Sequence, residues 1–270
     1  MKKLLLAALL TACGTCIAQT PAAHTLPDGS TDMYFGAGVI EGPDYEGSSQ
    51  NSTRWALTFQ AQFSNGIFIS NSKLGMHLSD NPAIEYGPLL VIENNRPKDA
   101  PPRTDGLGGT YPWPGVGGFF NYNLPFGLQL ASDLLLSTGR YHGDTVFDLD
   151  ARLHSKIANH HTLSYWTGLT WTNASAEQTA YGININQPEN LEVTGAGSIA
   201  ANSPTPPTTY TSRSGIQDVH AGINWNWDLS SDWLISTRLY GTHLLLNTTD
   251  NLYIEKRNNV TISTALAYRF

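Results

Sequence analysis

From residue 30 onward, apolar and polar residues alternate with period two over long stretches, while apolar residues at helical spacing are nearly absent. In 219–228, Val219, Ala221, Ile223, Trp225 and Trp227 share one face of an extended chain, and His220, Asn224, Asn226 and Asp228 share the other. The same division sets Trp55, Leu57, Phe59, Ala61 and Phe63 against Thr58, Gln60 and Gln62, and Phe147, Leu149, Ala151 and Leu153 against Asp148, Asp150 and Arg152. It recurs with Leu163, Tyr165, Leu169 and Trp171 against Ser164, Thr170 and Thr172. A soluble antiparallel sandwich alternates too, so strand length has to decide. The segments run to about ten to thirteen residues, the span of a tilted membrane strand, where globular strands are nearer five or six.

The connections fall into two classes. Tight ones lie at Asn65-Gly66, Ser79 to Pro82, Leu124 to Gly127, Ala158 to His161 and Ser230 to Asp232; long ones lie at 42–52, 94–112, 174–215 and 246–258. With the amino terminus in the periplasm, tight turns occupy one side and long loops the other, the asymmetry of outer-membrane barrels. The expectation is an all-β protein, a transmembrane antiparallel up-and-down β-barrel. Twelve strands are predicted at 31–41, 53–64, 66–71, 73–79, 82–93, 113–123, 127–138, 144–156, 161–173, 216–229, 233–245 and 259–270. The third and fourth are short, and losing a pair leaves ten as the alternative with the parity a barrel needs.

Aromatic residues cluster near predicted strand ends: Trp55, Phe63, Trp113, Tyr165, Trp171, Trp225, Trp227, Trp233, Tyr240 and Tyr268, as expected for girdles at the two membrane interfaces. On the last strand Ile262, Leu266, Tyr268 and the terminal Phe270 share a face, which resembles the signal read by the outer-membrane assembly machinery.

Composition narrows the picture further. Met1-Lys2-Lys3 followed by Leu4 to Ala12 reads as a secretory signal peptide, too short to span a bilayer as a helix. Residues 1–18 are therefore expected to be a label for export, with 19–270 a single barrel domain in the outer membrane. Cys16-Ile17-Ala18 favours a cut after Ala18, and Leu10-Thr11-Ala12-Cys13 offers the alternative of a lipidated Cys13; neither leaves a disulfide framework. Only 14% of residues are charged, and the net charge of −7 is spread out, which argues against a nucleic-acid partner and leaves membrane lipid as the expected surroundings.

Candidate chemistry is sparse. The polar faces place Asp133, Asp148, Asp150, Arg152, His220, Asp228, Arg238 and Arg269 toward the interior, as structural ion pairs or as the lining of a solute path. Asp148 and Asp150 share a face, yet no motif sets a Ser or His beside them for acid/base work. His154, His160 and His161 gather at a tight turn without the spacing of a zinc site. No catalytic residue, cofactor or metal ligand is expected. The loop from Ala174 to Gly215 either plugs the lumen or stands outside as a contact surface, and its Pro204-Thr205-Pro206-Pro207 run disfavours a helix.

Gly36-Ala37-Gly38-Val39 leading into Pro43-Asp44-Tyr45-Glu46-Gly47-Ser48 resembles the opening strand and loop of the MipA/OmpV family, the MltA-interacting outer-membrane proteins. Asn65 to Ser70, Leu74-Gly75, Tyr86-Gly87-Pro88, Gly117 to Phe120 with Tyr122, Tyr181 to Ile183 and Ala267 to Phe270 fit the same pattern in order. The loop from Gln187 to Ser214 departs from it by its length. The resemblance implies a non-enzymatic outer-membrane protein acting as a scaffold for murein-remodelling enzymes, a lytic transglycosylase and a penicillin-binding protein. It also implies roles in adhesion or osmotic response for some members. A passive channel for small solutes is the competing expectation from the barrel itself.

Overall fold

The structure, a computed structural model, describes residues 30–93, 113–138, 143–181, 212–245 and 254–270. The expected signal peptide with its two cysteines lies outside the described residues. So do 94–112, most of the segment after residue 181, and 246–253.

Twelve strands follow in order: β1 (Thr31–Pro43), β2 (Asn51–Phe63), β3 (Ile67–Ser70), β4 (Lys73–Met76), β5 (Ile84–Glu93), β6 (Trp113–Asn123), β7 (Leu128–Ser137), β8 (Thr145–Ala158), β9 (His161–Thr172), β10 (Gly215–Asp228), β11 (Trp233–Leu244) and β12 (Asn258–Arg269). Each pairs antiparallel with its chain neighbour, and β1 pairs with β12 from Tyr34↔Arg269 to Glu41↔Ile262, which closes the barrel. Twelve strands, and not ten, is the count. Closure turns nearly all backbone donors and acceptors inward to the sheet, which hydrocarbon requires.

The burial pattern is the reverse of a soluble sheet. On β10 the outward Val219, Ile223 and Trp227 are 39%, 41% and 37% exposed, while the inward Asp218, His220 and Asn224 are 4%, 9% and 8% exposed. Apolar groups that stay accessible around the whole circumference have an apolar solvent outside them. No described helix is long and apolar enough to cross a membrane.

Alternation of the two connection classes follows from closure, so the turns at 64–66, 77–83, 124–127, 159–160 and 229–232 share one end. These turns use left-handed backbone at Gly66, Phe126, Gly127 and His160, with φ of 88°, 67°, 77° and 66°. β3 and β4 are four residues each, and the hairpin tip Asn71 ends pairing with β2: its Oδ1 accepts Phe59 N–H at 3.0 Å and its own N–H donates to Phe59 O at 2.8 Å. Among the described residues, the outer half of β2 has no strand partner on that side.

Two expectations are corrected. The segment from Ala174 does not begin as a loop: Ala174–Tyr181 forms a helix, α1, whose Ala176, Glu177 and Tyr181 are buried. Asn173 caps it, with Ala176 N–H donating to Asn173 Oδ1 at 2.9 Å. The proline run that disfavours a helix lies further on, outside the described residues. The interior is also not uniformly polar. Phe68, Leu89, Val91, Phe119 and Leu135 form an inward apolar cluster, with Val146 against it.

Candidate functional site

The charged half of the interior is built by register. Asp150 on β8 pairs with Gly168 on β9, and Gly168 pairs with His220 on β10, so the three lie in one row. Glycine at the middle position lets the flanking side chains meet above it: His220 Nε2 reaches Asp150 Oδ1 at 2.8 Å. A Cβ on Gly168 would come within 2.1 Å of that carboxylate and 2.5 Å of Leu149 O. The other imidazole nitrogen, Nδ1, meets Asp218 Oδ1 at 2.9 Å, and Arg152 Nη2 donates to Asp150 Oδ2 at 2.6 Å.

One row over, Trp166 on β9 crosses the face of Gly222 and stacks on Tyr240 of β11, with ring centroids 6.3 Å apart. The Arg238 guanidinium lies over both rings, 4.6 Å from Trp166 and 5.0 Å from Tyr240. On the opposite side, Lys73 on β4 reaches Asp133 on β7 at 2.6 Å, and Phe68 on β3 meets Phe119 on β6 edge-on at 5.6 Å. Lys73–Asp133 and Phe68–Phe119 each skip two intervening strands, while Asp150–His220 and Arg238–Trp166 each skip one, so all four run along the inner wall of the barrel.

Of the residues expected inside, Asp133, Asp148, Asp150, Arg152, His220 and Arg238 are gathered there, Asp148 accepting from Thr170 Oγ1 at 2.8 Å. Two are not in this network. Asp228 is exposed at the end of β10, and Arg269 sits at the same rim, where its Nε donates to Asp32 Oδ1 at 2.8 Å and joins the first strand to the last. Tyr240, read from the sequence as a girdle residue, faces inward because period two places it on the face of Arg238. The outward aromatics are Trp55, Tyr165, Trp227, Trp233 and Tyr268, with Phe270 edge-on to Tyr268 at 5.0 Å. The side chain of Trp113 lies outside the description.

Sequence reading missed Asp218, Trp166, Lys73 and Asp32. Asp218 lies two residues before His220 and so on the same face, directly after the register shift between Ile216 and Asp218, one residue ahead of where the alternating run was taken to begin at Val219. The histidines at the tight turn have other occupations. His154 Nδ1 meets Ser164 Oγ at 2.9 Å, and His161 stacks between contacts to Trp225 and Trp227, each 5.7 Å away. No group of three or more His, Cys, Asp or Glu among the described residues could hold a metal ion. The charge beside the His154–Ser164 pair is the Arg152 cation, the opposite of the carboxylate that orients and charges a general base.

The outer mouth is drawn together from three connections. Tyr181 at the end of α1 donates its hydroxyl to Glu46 Oε2 at 3.1 Å, and Gln217 Nε2 donates to Tyr181 Oη at 3.4 Å. Gly47, with φ of 97°, accepts the N–H groups of Glu255 and Lys256 at 2.8 and 3.0 Å. Ser49 hydroxyl donates to Glu255. Burial, then the nearby Asp218 carboxylate, pushes Glu46 up to about 7.

Comparison with known proteins follows the same lines. No curated protein matches the chain. Among solved structures it is similar to the KdgM porin (8% identity, 88% of this chain and 99% of that one, TM-score 0.45). It is similar also to the NanC porin (11% identity, 89% and 100%, TM-score 0.45). A third is the translocator domain of autotransporter NalP from Neisseria meningitidis (11% identity, 100% and 96%, TM-score 0.43). The family model of the MltA-interacting protein MipA matches residues 35–270, nearly the whole barrel from the middle of β1 to the last residue. With its closed twelve-strand barrel and outward apolar belt, the chain belongs to the MipA family of outer-membrane β-barrels.

Proposed function

We propose that this protein is a non-enzymatic outer-membrane barrel that acts through its rims, as a docking platform for murein-remodelling enzymes such as a lytic transglycosylase and a penicillin-binding protein. The observation that carries this reading is the set of side-chain contacts that lace the inner wall. Lys73–Asp133, Phe68–Phe119, Asp150–His220 and Arg238 over Trp166 and Tyr240 tie together strands with one or two strands between them and take up interior space where a porin needs water. At the mouth, Ala176, Glu177 and Tyr181 of α1 are buried and Tyr181 reaches Glu46 of the β1–β2 connection. Interior side chains that pair with one another leave the exposed turns as the working surface.

The name of the family model, an MltA-interacting protein, supports the choice of partner. The inward charges then serve as structural ion pairs, the export label at 1–18 directs the chain to the periplasm, and Tyr268 with Phe270 present it for assembly.

Two measurements test this. Purified protein in a planar bilayer is expected to be silent; steady openings would establish a solute channel instead. Protein immobilised from detergent is expected to enrich a lytic transglycosylase or a penicillin-binding protein from a periplasmic extract. Absence of both would remove the scaffold role.

A further inference from the structure

The β6–β7 turn differs in chemistry from the other turns at its end of the barrel. Leu124-Pro125-Phe126-Gly127-Leu128 carries no polar side chain, whereas the others contain Ser64-Asn65-Gly66, Ser79-Asp80-Asn81, Asn159-His160 and Ser230-Ser231-Asp232. Polar side chains close three of those turns: Asn65 Oδ1 accepts Ile67 N–H at 3.2 Å, Asn81 Oδ1 accepts Ala83 N–H at 3.0 Å, and Ser230 Oγ accepts Trp233 N–H at 3.1 Å. The β6–β7 turn is closed by backbone, Leu124 N–H donating to Leu128 O at 2.7 Å.

Phe126, at the tip, is unfavourable to the fold in two ways. Its backbone lies at φ 67° and ψ 20°, in the left-handed region, and its ring is 98% exposed. Among the described residues the other non-glycine positions with positive φ are Asn71 and His160, types that tolerate it; for a bulky aromatic residue it is an outlier. A ring that leaves the sheet so fully gains no packing from the barrel to offset either cost.

The neighbours of the turn define its surroundings. By alternation the even positions of β6 and β7 face outward, and Phe120, Tyr122, Leu128 and Leu130 are all exposed there. They belong to the belt that faces hydrocarbon. Phe126 stands between Leu124 and Leu128 and prolongs that strip past the strand ends, with no charged or hydrogen-bonding side chain intervening. A turn immersed in water keeps polar groups, as the other turns do. One that enters the layer between hydrocarbon and water gains by presenting an aromatic ring.

We propose that the β6–β7 turn is a membrane anchor, with the Phe126 ring inserted among the phospholipids on the side of the tight turns. The polar turns remain as the surface open to soluble partners, and the anchor stands whether or not a murein enzyme docks there. Because the turn carries no charge, its hold on the bilayer is independent of ionic strength.

The test introduces a photoreactive analogue, Phe126→p-benzoylphenylalanine, into the full chain. The protein is reconstituted in vesicles of phosphatidylethanolamine and phosphatidylglycerol and irradiated, and the adduct is identified by mass. Ser231→p-benzoylphenylalanine, at a polar turn, is the reference. Phospholipid adducts are expected at position 126 in about fivefold or greater excess over position 231, equally at low and high salt. Equal labelling at the two positions, or none at 126, overturns the anchor, as does a protein adduct in place of a lipid adduct when the same chain is irradiated in cells. Should the substituted chain lack heat-modifiable migration, the unsubstituted chain in nanodiscs of the same lipids decides. Relative to the Ser231 amide, the Phe126 amide is then expected to be broadened more by nitroxide-bearing lipid and less by a water-soluble gadolinium chelate; the reverse order, or no difference, overturns the proposal.

Discussion

Gly168 carries the clearest consequence of a single atom. It is the one position over which the Asp150 carboxylate and the His220 imidazole meet, and an added Cβ would strike both that carboxylate and the backbone oxygen of Leu149. The backbone clash cannot be relieved by turning a side chain. Gly168→Ala is therefore expected to lower stability by about 1–3 kcal/mol, read as the denaturant midpoint of detergent-solubilised protein. Gly118, whose added Cβ meets only Gly87 O at 3.1 Å, is the comparison, and Gly118→Ala should cost clearly less. At this scale the sequence was partly legible. Alternation assigned Asp150, Arg152 and His220 to one face because a strand has only two. It placed Tyr240 in a girdle and passed over Trp166, although the two line the same space, since an aromatic on an alternating strand suits a girdle as readily as a bore. The meeting of Asp150 with His220 depends on a register between strands 70 residues apart, and no local pattern encodes that.

Among the elements, α1 and β12 lend themselves to direct trials. The helix is short, so its cap matters: Asn173→Ala removes the side-chain acceptor of Ala176 N–H and is expected to weaken α1 by about 1 kcal/mol. The readout is faster hydrogen exchange in 174–181 and at Thr145, whose N–H also donates to Asn173 Oδ1 at 3.1 Å, with no change in strands away from that corner. On β12, Phe270 N–H donates to Met33 O at 3.0 Å and its ring lies against Tyr268, so the last residue belongs to the seam that closes the sheet. Deleting Phe270 is expected to lower the amount of assembled barrel in the outer membrane, measured as the fraction of protein whose gel migration changes on heating. All twelve strands were readable in advance, most to within two residues at either end, because each long strand repeats one face often enough to outvote exceptions. The helix was not readable. Asn173 with Glu177 in the following turn is a usable start signal, but eight residues of α1 carry no apolar stripe of their own and owe their place to the mouth they fill.

For the whole molecule, the outward apolar belt sets the strongest expectation. The protein should require detergent for solubility and show heat-modifiable migration; a freely soluble, unmodifiable product would refute the membrane barrel itself. Low overall hydrophobicity is no obstacle, since half of each strand faces inward and 40% apolar residues suffice to coat one surface. Period-two alternation, strand length and the division of connections into short and long were enough to reach a closed antiparallel barrel in a membrane. Those features are local, and the bilayer rewards them strand by strand. Which inward charges become partners and how the mouth is held were decided only when the sheet curled and brought the inward faces of strands that do not pair within reach of one another. Contacts such as Lys73 to Asp133 and Tyr181 to Glu46 exist because of curvature and stagger, which are properties of the closed sheet and of no segment within it.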